Sequence, residues 1–160
     1  MSFQVAAFQN RFLTSGQSRV DAILTVTADA AMTSTSGELM VGFIIDKSGS
    51  MAAERMESAK RAVIQGLEML DEKAWFFVVA FDSMAQVVSE EMQATAANKA
   101  EAKDAIEEMT AGGGTAMSTG LRAALRIFER RPNAIRQCIF LTDGKNESEA
   151  SDLVRKALES

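Results

Sequence analysis

The 160-residue chain contains no histidine. That absence excludes catalytic triads built on an imidazole base and every His-ligated zinc site. A single cysteine, Cys138, cannot form an internal disulfide or a thiolate cluster. Disulfide-stapled scaffolds are thereby excluded, and a reducing compartment, the cytoplasm, is the expected location. The longest apolar runs, such as Trp75–Phe81, fall well short of the ~20 residues of a membrane helix, so membrane insertion is not expected. The N-terminus carries neither a basic segment leading into a long apolar stretch nor a small-residue cleavage site. Basic residues are outnumbered 17 to 22, giving a formal charge of −5 that argues against nucleic acid or an anionic membrane as partner. There is one proline, Pro132, no long Ser/Gly linker and no internal repeat. What is present is an ordinary globular composition, 47% hydrophobic and 24% charged, which excludes disorder. A chain of this length buries roughly 70% of its unfolded surface, enough for one core.

The first 37 residues read differently from the rest. Val20, Ala22, Leu24, Val26 and Ala28 alternate at period two, as a half-buried strand does. Residues 4–12 form a weaker strand candidate, with a turn-like stretch at 14–18 between them. Residues 1–37 are therefore expected to form an N-terminal β-hairpin extension, and residues 38–160 an α/β domain. In the second part, residues 39–45 and 74–81 are near-continuous apolar runs, the pattern of strands buried on both faces. Met56, Ala59, Val63, Leu67 and Leu70 then recur at helical spacing, as do Met117, Leu121, Ala124, Leu125 and Phe128. Residues 86–89 suit a short partner strand. Asn98 with Glu101 three residues on reads as a capping-box helix start. Residues 138–141 read as a third buried strand and 151–158 as a last amphipathic helix. Strands alternating with helices predict a sheet wrapped by helices.

Ligands of such sheets gather at the carboxyl ends of the strands. The residues there are oxygen-bearing: Asp46, Ser48 and Ser50 after the first run, Thr115 after three glycines, and Asp143 after the third run. Oxygen donors without thiolate or imidazole suit Mg²⁺, Mn²⁺ or Ca²⁺. Alternate residues of an extended segment point the same way, so the side chains of Asp46, Ser48 and Ser50 can face one ion. Two carboxylates neutralise a divalent ion, and about six ligand positions leave room for water or an incoming carboxylate.

This discontinuous set resembles the metal-ion-dependent adhesion site of von Willebrand factor A domains, and the resemblance covers residues 38–160. It implies a Rossmann-like, three-layer fold whose central sheet is mostly parallel with an antiparallel edge strand. It implies that Ser48 and Ser50 ligate the ion directly, Thr115 directly or through water, and Asp46 and Asp143 through water. A protein partner's Asp or Glu would complete the coordination. The implied function is a metal-dependent adhesion or scaffold module, not an enzyme, with no catalytic residues, in an assembly with other domains or an ATPase. The family's complete domain continues with a further strand and helix, so the chain reads as C-terminally truncated. The N-terminal hairpin resembles leader segments of bacterial family members.

Other readings of the same residues compete. Asp46 stands where a Mg²⁺-dependent phosphoryl-transfer enzyme or hydrolase carries its nucleophile, although Ser48 occupies the place of the second aspartate that pattern wants. Asp82 reads as a strand-end cap and Lys47 as a surface or rim residue. No Gly-Lys-Ser/Thr follows the glycines at 112–114, so they are not a phosphate loop. The arginines at 122, 126 and 130 and the acidic residues at 90, 91, 101, 104, 107 and 108 read as solvated faces.

Overall fold

The computed structural model describes residues 3–9, 22–28 and 37–144. The chain divides into two compact units, residues 1–36 and 37–160. In the first, β1 (Phe3–Gln9) and β2 (Ala22–Ala28) pair antiparallel, with Phe3 opposite Ala28 and Gln9 opposite Ala22. The turn expected at 14–18 and the helix expected at 151–158 lie outside the described residues.

The second unit runs β3 (Leu39–Asp46), a 3-10 turn (Gly49–Met51), α1 (Glu54–Met69), β4 (Trp75–Phe81), β5 (Ala85–Gln93), α2 (Ala96–Glu107), α3 (Met117–Phe128) and β6 (Ile135–Leu141). The four strands lie in the order β5-β4-β3-β6. β3 is parallel to both neighbours, and β5 is antiparallel to β4. This is the mostly parallel sheet with an antiparallel edge that the family resemblance implies, and β5 is longer than the four residues expected for it.

The pleat divides the core into two layers. Val41, Phe43 and Ile45 of β3 face α1 and α2, packing with Met56, Val63, Leu67, Ala102 and Ile106. Met40 and Ile44 face α3, with Phe77, Val79, Phe81, Ala124, Ile127 and Phe128. A strand apolar on both faces is what a sheet covered on both sides requires. Polar ties finish the edges: Lys60 reaches from α1 to the Glu107 carbonyl at the end of α2, and Lys99 reaches from α2 to the Leu70 carbonyl after α1. Cations suit such helix ends.

Two expectations are corrected. The N-cap of α2 is Thr95, not Asn98; the Thr95 hydroxyl accepts the Asn98 amide, while the Asn98 side chain donates to the Gln93 carbonyl. The fully buried Ala94 still donates its amide to the Ala74 carbonyl, and the chain turns at Thr95, whose amide donates to the Gln93 carbonyl. The third strand begins at Ile135, and its residues from Ile135 to Ile139, Cys138 included, are exposed. Among the described residues β6 pairs with β3 alone.

Candidate functional site

The carboxyl ends of β3, β4 and β6 meet at one edge of the sheet because all three run parallel. Asp46 is the last residue of β3, level with Phe81 of β4, and the β3–β6 ladder ends one step earlier with Ile45 beside Leu141. Lys47 continues the β3–β4 ladder through its amide to the Phe81 carbonyl, 2.7 Å. The chain then leaves the sheet. Ser48, with φ −58° and ψ 164°, is the last extended residue before the 3-10 turn, and the Met51 amide donates to its carbonyl at 2.9 Å. Met51 is buried and anchors the turn in the core. Ala53 follows with φ 62° and ψ −126°, a conformation costly for any residue with a Cβ, so the segment between β3 and α1 holds local strain.

Asp46 is fully buried, and both of its oxygens are engaged. One accepts the Ser48 amide at 2.9 Å, and the other accepts the Thr142 hydroxyl at 2.7 Å. Thr142 Oγ1 in turn accepts the Gly144 amide at 3.0 Å, so Asp46 fixes the chain on both sides of Asp143. The hydroxyls of Ser48 and Ser50 lie 3.2 Å apart. Thr115 is buried, in a loop held against the first one by two backbone bonds: Gly112 N to Lys47 O at 2.7 Å and Gly49 N to Gly113 O at 3.0 Å. Gly113 has φ +79°, a conformation that favours glycine, and a Cβ there would also sit tightly against the Asp82 carboxyl carbon at 3.2 Å.

Asp82 is the strut under this loop. Its carboxylate pairs with Lys47 and accepts the Met84 amide at 3.0 Å, and its carbonyl accepts the Ala116 amide at 2.7 Å. The strand-end cap reading is therefore the observed one, and Lys47 is a rim residue committed to Asp82. Partial burial pushes the Asp82 carboxyl upward. Hydrogen bonds from Lys47 and the Met84 and Ser83 amides, with the Lys47 charge, outweigh this and hold it below its ordinary value of 3.8. A carboxyl depressed in the folded state stabilises the fold above its unfolded pKa, and the contribution disappears as pH falls through the folded value. Asp82→Asn is thus expected to lose about 1 kcal/mol at pH 7. The difference from wild type should close as the pH falls below 3.8. Thermal unfolding of both proteins between neutral and acid pH checks this; a difference independent of pH would refute it.

Two residues at this edge were not singled out from sequence. Thr142, the partner of Asp46, has no signal beyond its place beside Asp143. Arg55 donates through Nη1 to Asp143 Oδ2 at 3.0 Å and to the Ser50 carbonyl at 2.7 Å. It carried a signal: it lies in the first turn of α1, where the helix dipole disfavours a cation unless an anion stands nearby.

The five expected positions thus stand on three loops at one sheet edge. The donor set is oxygen alone, of the kind hard divalent ions prefer. Adjacent oxygens around an octahedral ion lie about 2.9 Å apart for Mg²⁺ distances and about 3.3 Å or more for Ca²⁺ distances. The Ser48–Ser50 oxygen separation of 3.2 Å falls between these values, so the pair fits one edge of such a shell.

Comparison with known proteins bears on the family and the fold. Residues 41–145 match the family model of the von Willebrand factor type A domain. A von Willebrand factor type A structure from Catenulispora acidiphila superposes with a TM-score of 0.76 at 38% identity, covering 98% of this chain and 37% of that one. Pig calcium-activated chloride channel regulator 1 is 32% identical over 117 residues, which are 70% of this chain and 12% of that protein. Proximal thread matrix protein 1 from the mussel byssus, solved with a zinc-occupied metal-ion-dependent adhesion site, has a TM-score of 0.60 at 27% identity. It is matched over 75% of this chain and 33% of its own. The chain thus spans only a small part of these relatives.

Proposed function

The chain belongs to the von Willebrand factor type A family, and from that premise we propose that it is a divalent-metal-dependent protein-binding module. In this reading Ser48, Ser50 and Thr115 present hydroxyls to a Mg²⁺ ion, with Mn²⁺ or Ca²⁺ as substitutes. Asp46 and Asp143 balance its charge through bound water. The ion's chemistry is that of a hard Lewis acid with a position left for a carboxylate, which an Asp or Glu of a partner protein fills. The chain's own part is to hold the hydroxyls at ligand spacing and to fix the three loops before any ion arrives. One observation carries the reading: Ser48 and Ser50 oxygens at 3.2 Å, directly after a buried aspartate that also holds the Asp143 loop. The family is one of adhesion and interaction modules, and the zinc-occupied site of the byssus protein shows that this fold holds a divalent ion. An adhesive or scaffolding role within a larger, multidomain assembly follows from the same premise.

Asp46 as the nucleophile of a phosphoryl-transfer enzyme fits the site poorly. A nucleophilic carboxylate has to meet its substrate, whereas Asp46 is fully buried with both oxygens already bonded.

Thermal unfolding during Mg²⁺ and Mn²⁺ titration tests the metal reading. At about 100 times its dissociation constant, an ion that binds only the folded chain adds roughly 2.7 kcal/mol. That corresponds to about 5–11 °C in Tm for a protein of this size. The shift is expected to vanish in Asp143→Ala. A folded wild-type protein that shows no shift at millimolar metal would overturn the reading.

A further inference from the structure

We infer that Arg55 sets the cation affinity of this site, acting as an internal cation that an incoming metal ion must displace from Asp143. The inference rests on the metal reading above and adds a residue to it. Arg55 Nη1 contacts Asp143 Oδ2 at 3.0 Å and the Ser50 carbonyl at 2.7 Å, so one guanidinium bridges two of the three loops. Asp143 is the less accessible partner: its side chain is 11% exposed against 56% for Arg55. The cation is therefore the group with freedom to leave.

Three physical arguments make this contact a control on affinity. First, Asp46 and Asp143 together supply two negative charges, and a guanidinium on Asp143 offsets one of them before any ion binds. Second, charge-assisted hydrogen bonds are among the stronger ones, so the lone pairs that Arg55 occupies on Asp143 are not offered to an ion or its water without a cost. Third, Arg55 lies in the first turn of α1, where the dipole repels a cation. Its stability there depends on Asp143 and the Ser50 carbonyl, and an ion that draws on Asp143 loosens that hold. Among the described residues Lys47 also lies at this edge, and its ammonium is committed to Asp82.

Arg55 is thus a positioning residue with an antagonistic effect. It preserves the loop geometry in the metal-free chain and lowers the affinity of the finished site. Such an arrangement keeps the Asp143 loop in place without an ion and makes occupancy responsive to metal concentration.

Mn²⁺ binding followed by the electron paramagnetic resonance signal of free Mn²⁺ tests this directly, with the ion alone as probe. Arg55→Met is expected to bind Mn²⁺ about tenfold more tightly than wild type, since a full charge within a few ångströms of the ligand set is removed. Arg55→Lys keeps the charge and is expected to stay within about threefold of wild type. A merely structural role would not produce tighter binding. Unchanged or weaker binding in Arg55→Met, with wild type binding normally, overturns this inference alone. Absence of Mn²⁺ binding by folded wild type overturns the metal reading and this inference together.

Discussion

Replacing Asp46 with asparagine is expected to weaken Mg²⁺ or Mn²⁺ binding by about 10–100-fold, the range seen when a group that orients metal ligands is changed. Metal-free stability should fall by no more than about 1 kcal/mol. The separation follows from the geometry. Asparagine can still accept the Ser48 amide through its oxygen, and its NH₂ can donate to Thr142 Oγ1, whose hydroxyl hydrogen turns elsewhere. The three-loop frame therefore survives nearly intact, whereas half of the carboxylate charge does not. Asp46→Ala behaves differently, because it strands the buried Ser48 amide and removes the partner of the part-buried Thr142 hydroxyl, at about 1–3 kcal/mol. Calorimetric titration of the metal, beside urea unfolding of the metal-free proteins, reads both quantities. Full metal affinity in Asp46→Asn would remove Asp46 from the site, and a collapse of metal-free stability would make it a structural residue.

The parts of this molecule that were legible in sequence are those where one local signal settles the matter. Residues 39–45 and 74–81 are apolar without interruption because both faces of β3 and β4 are covered, and α1 and α3 show their buried stripes at helical spacing. That Asp46, Ser48, Ser50, Thr115 and Asp143 gather at one edge was legible because each stands just beyond an apolar run or a glycine stretch, and parallel strands bring such points together. Harder cases arise where two local signals compete. Thr95 and Asn98 are both good N-caps, and the turn at Thr95, with the Asn98 side chain drawn to the Gln93 carbonyl, decides between them. Arg136 and Gln137 hide the first half of β6, since an exposed strand carries no apolar run. Pairwise ties were out of reach. Asp46–Thr142, Arg55–Asp143 and Lys47–Asp82 join residues 96, 88 and 35 positions apart. Only a fold fixes which carboxylate meets which cation.

Gly42→Ala is expected to destabilise the protein by about 2 kcal/mol or more, lowering Tm by roughly 4–8 °C. Strand propensity alone gives the opposite sign, since alanine in place of an interior glycine gains about 0.5–1 kcal/mol of backbone entropy. Packing decides the outcome. Gly42 stands at the centre of β3, directly beside Phe77 of β4, on the face turned toward α3. A Cβ there would lie 2.4 Å from Phe77 Cζ and 2.9 Å from Phe128 Cζ. Carbon atoms in contact prefer about 3.5–4.0 Å, so Phe77 would have to retreat by more than 1 Å. It has nowhere to go: Phe77 is fully buried and meets Phe128 edge to face, with ring centroids 4.8 Å apart. Those two rings close the gap between the sheet and α3, so the missing side chain at 42 is the space they occupy. The double variant with Phe77→Leu is therefore expected to be less destabilised than the sum of its parts, by about 1 kcal/mol. Denaturant unfolding of the four proteins in this cycle measures that coupling, and strict additivity would show that the rings do not occupy the space left by Gly42.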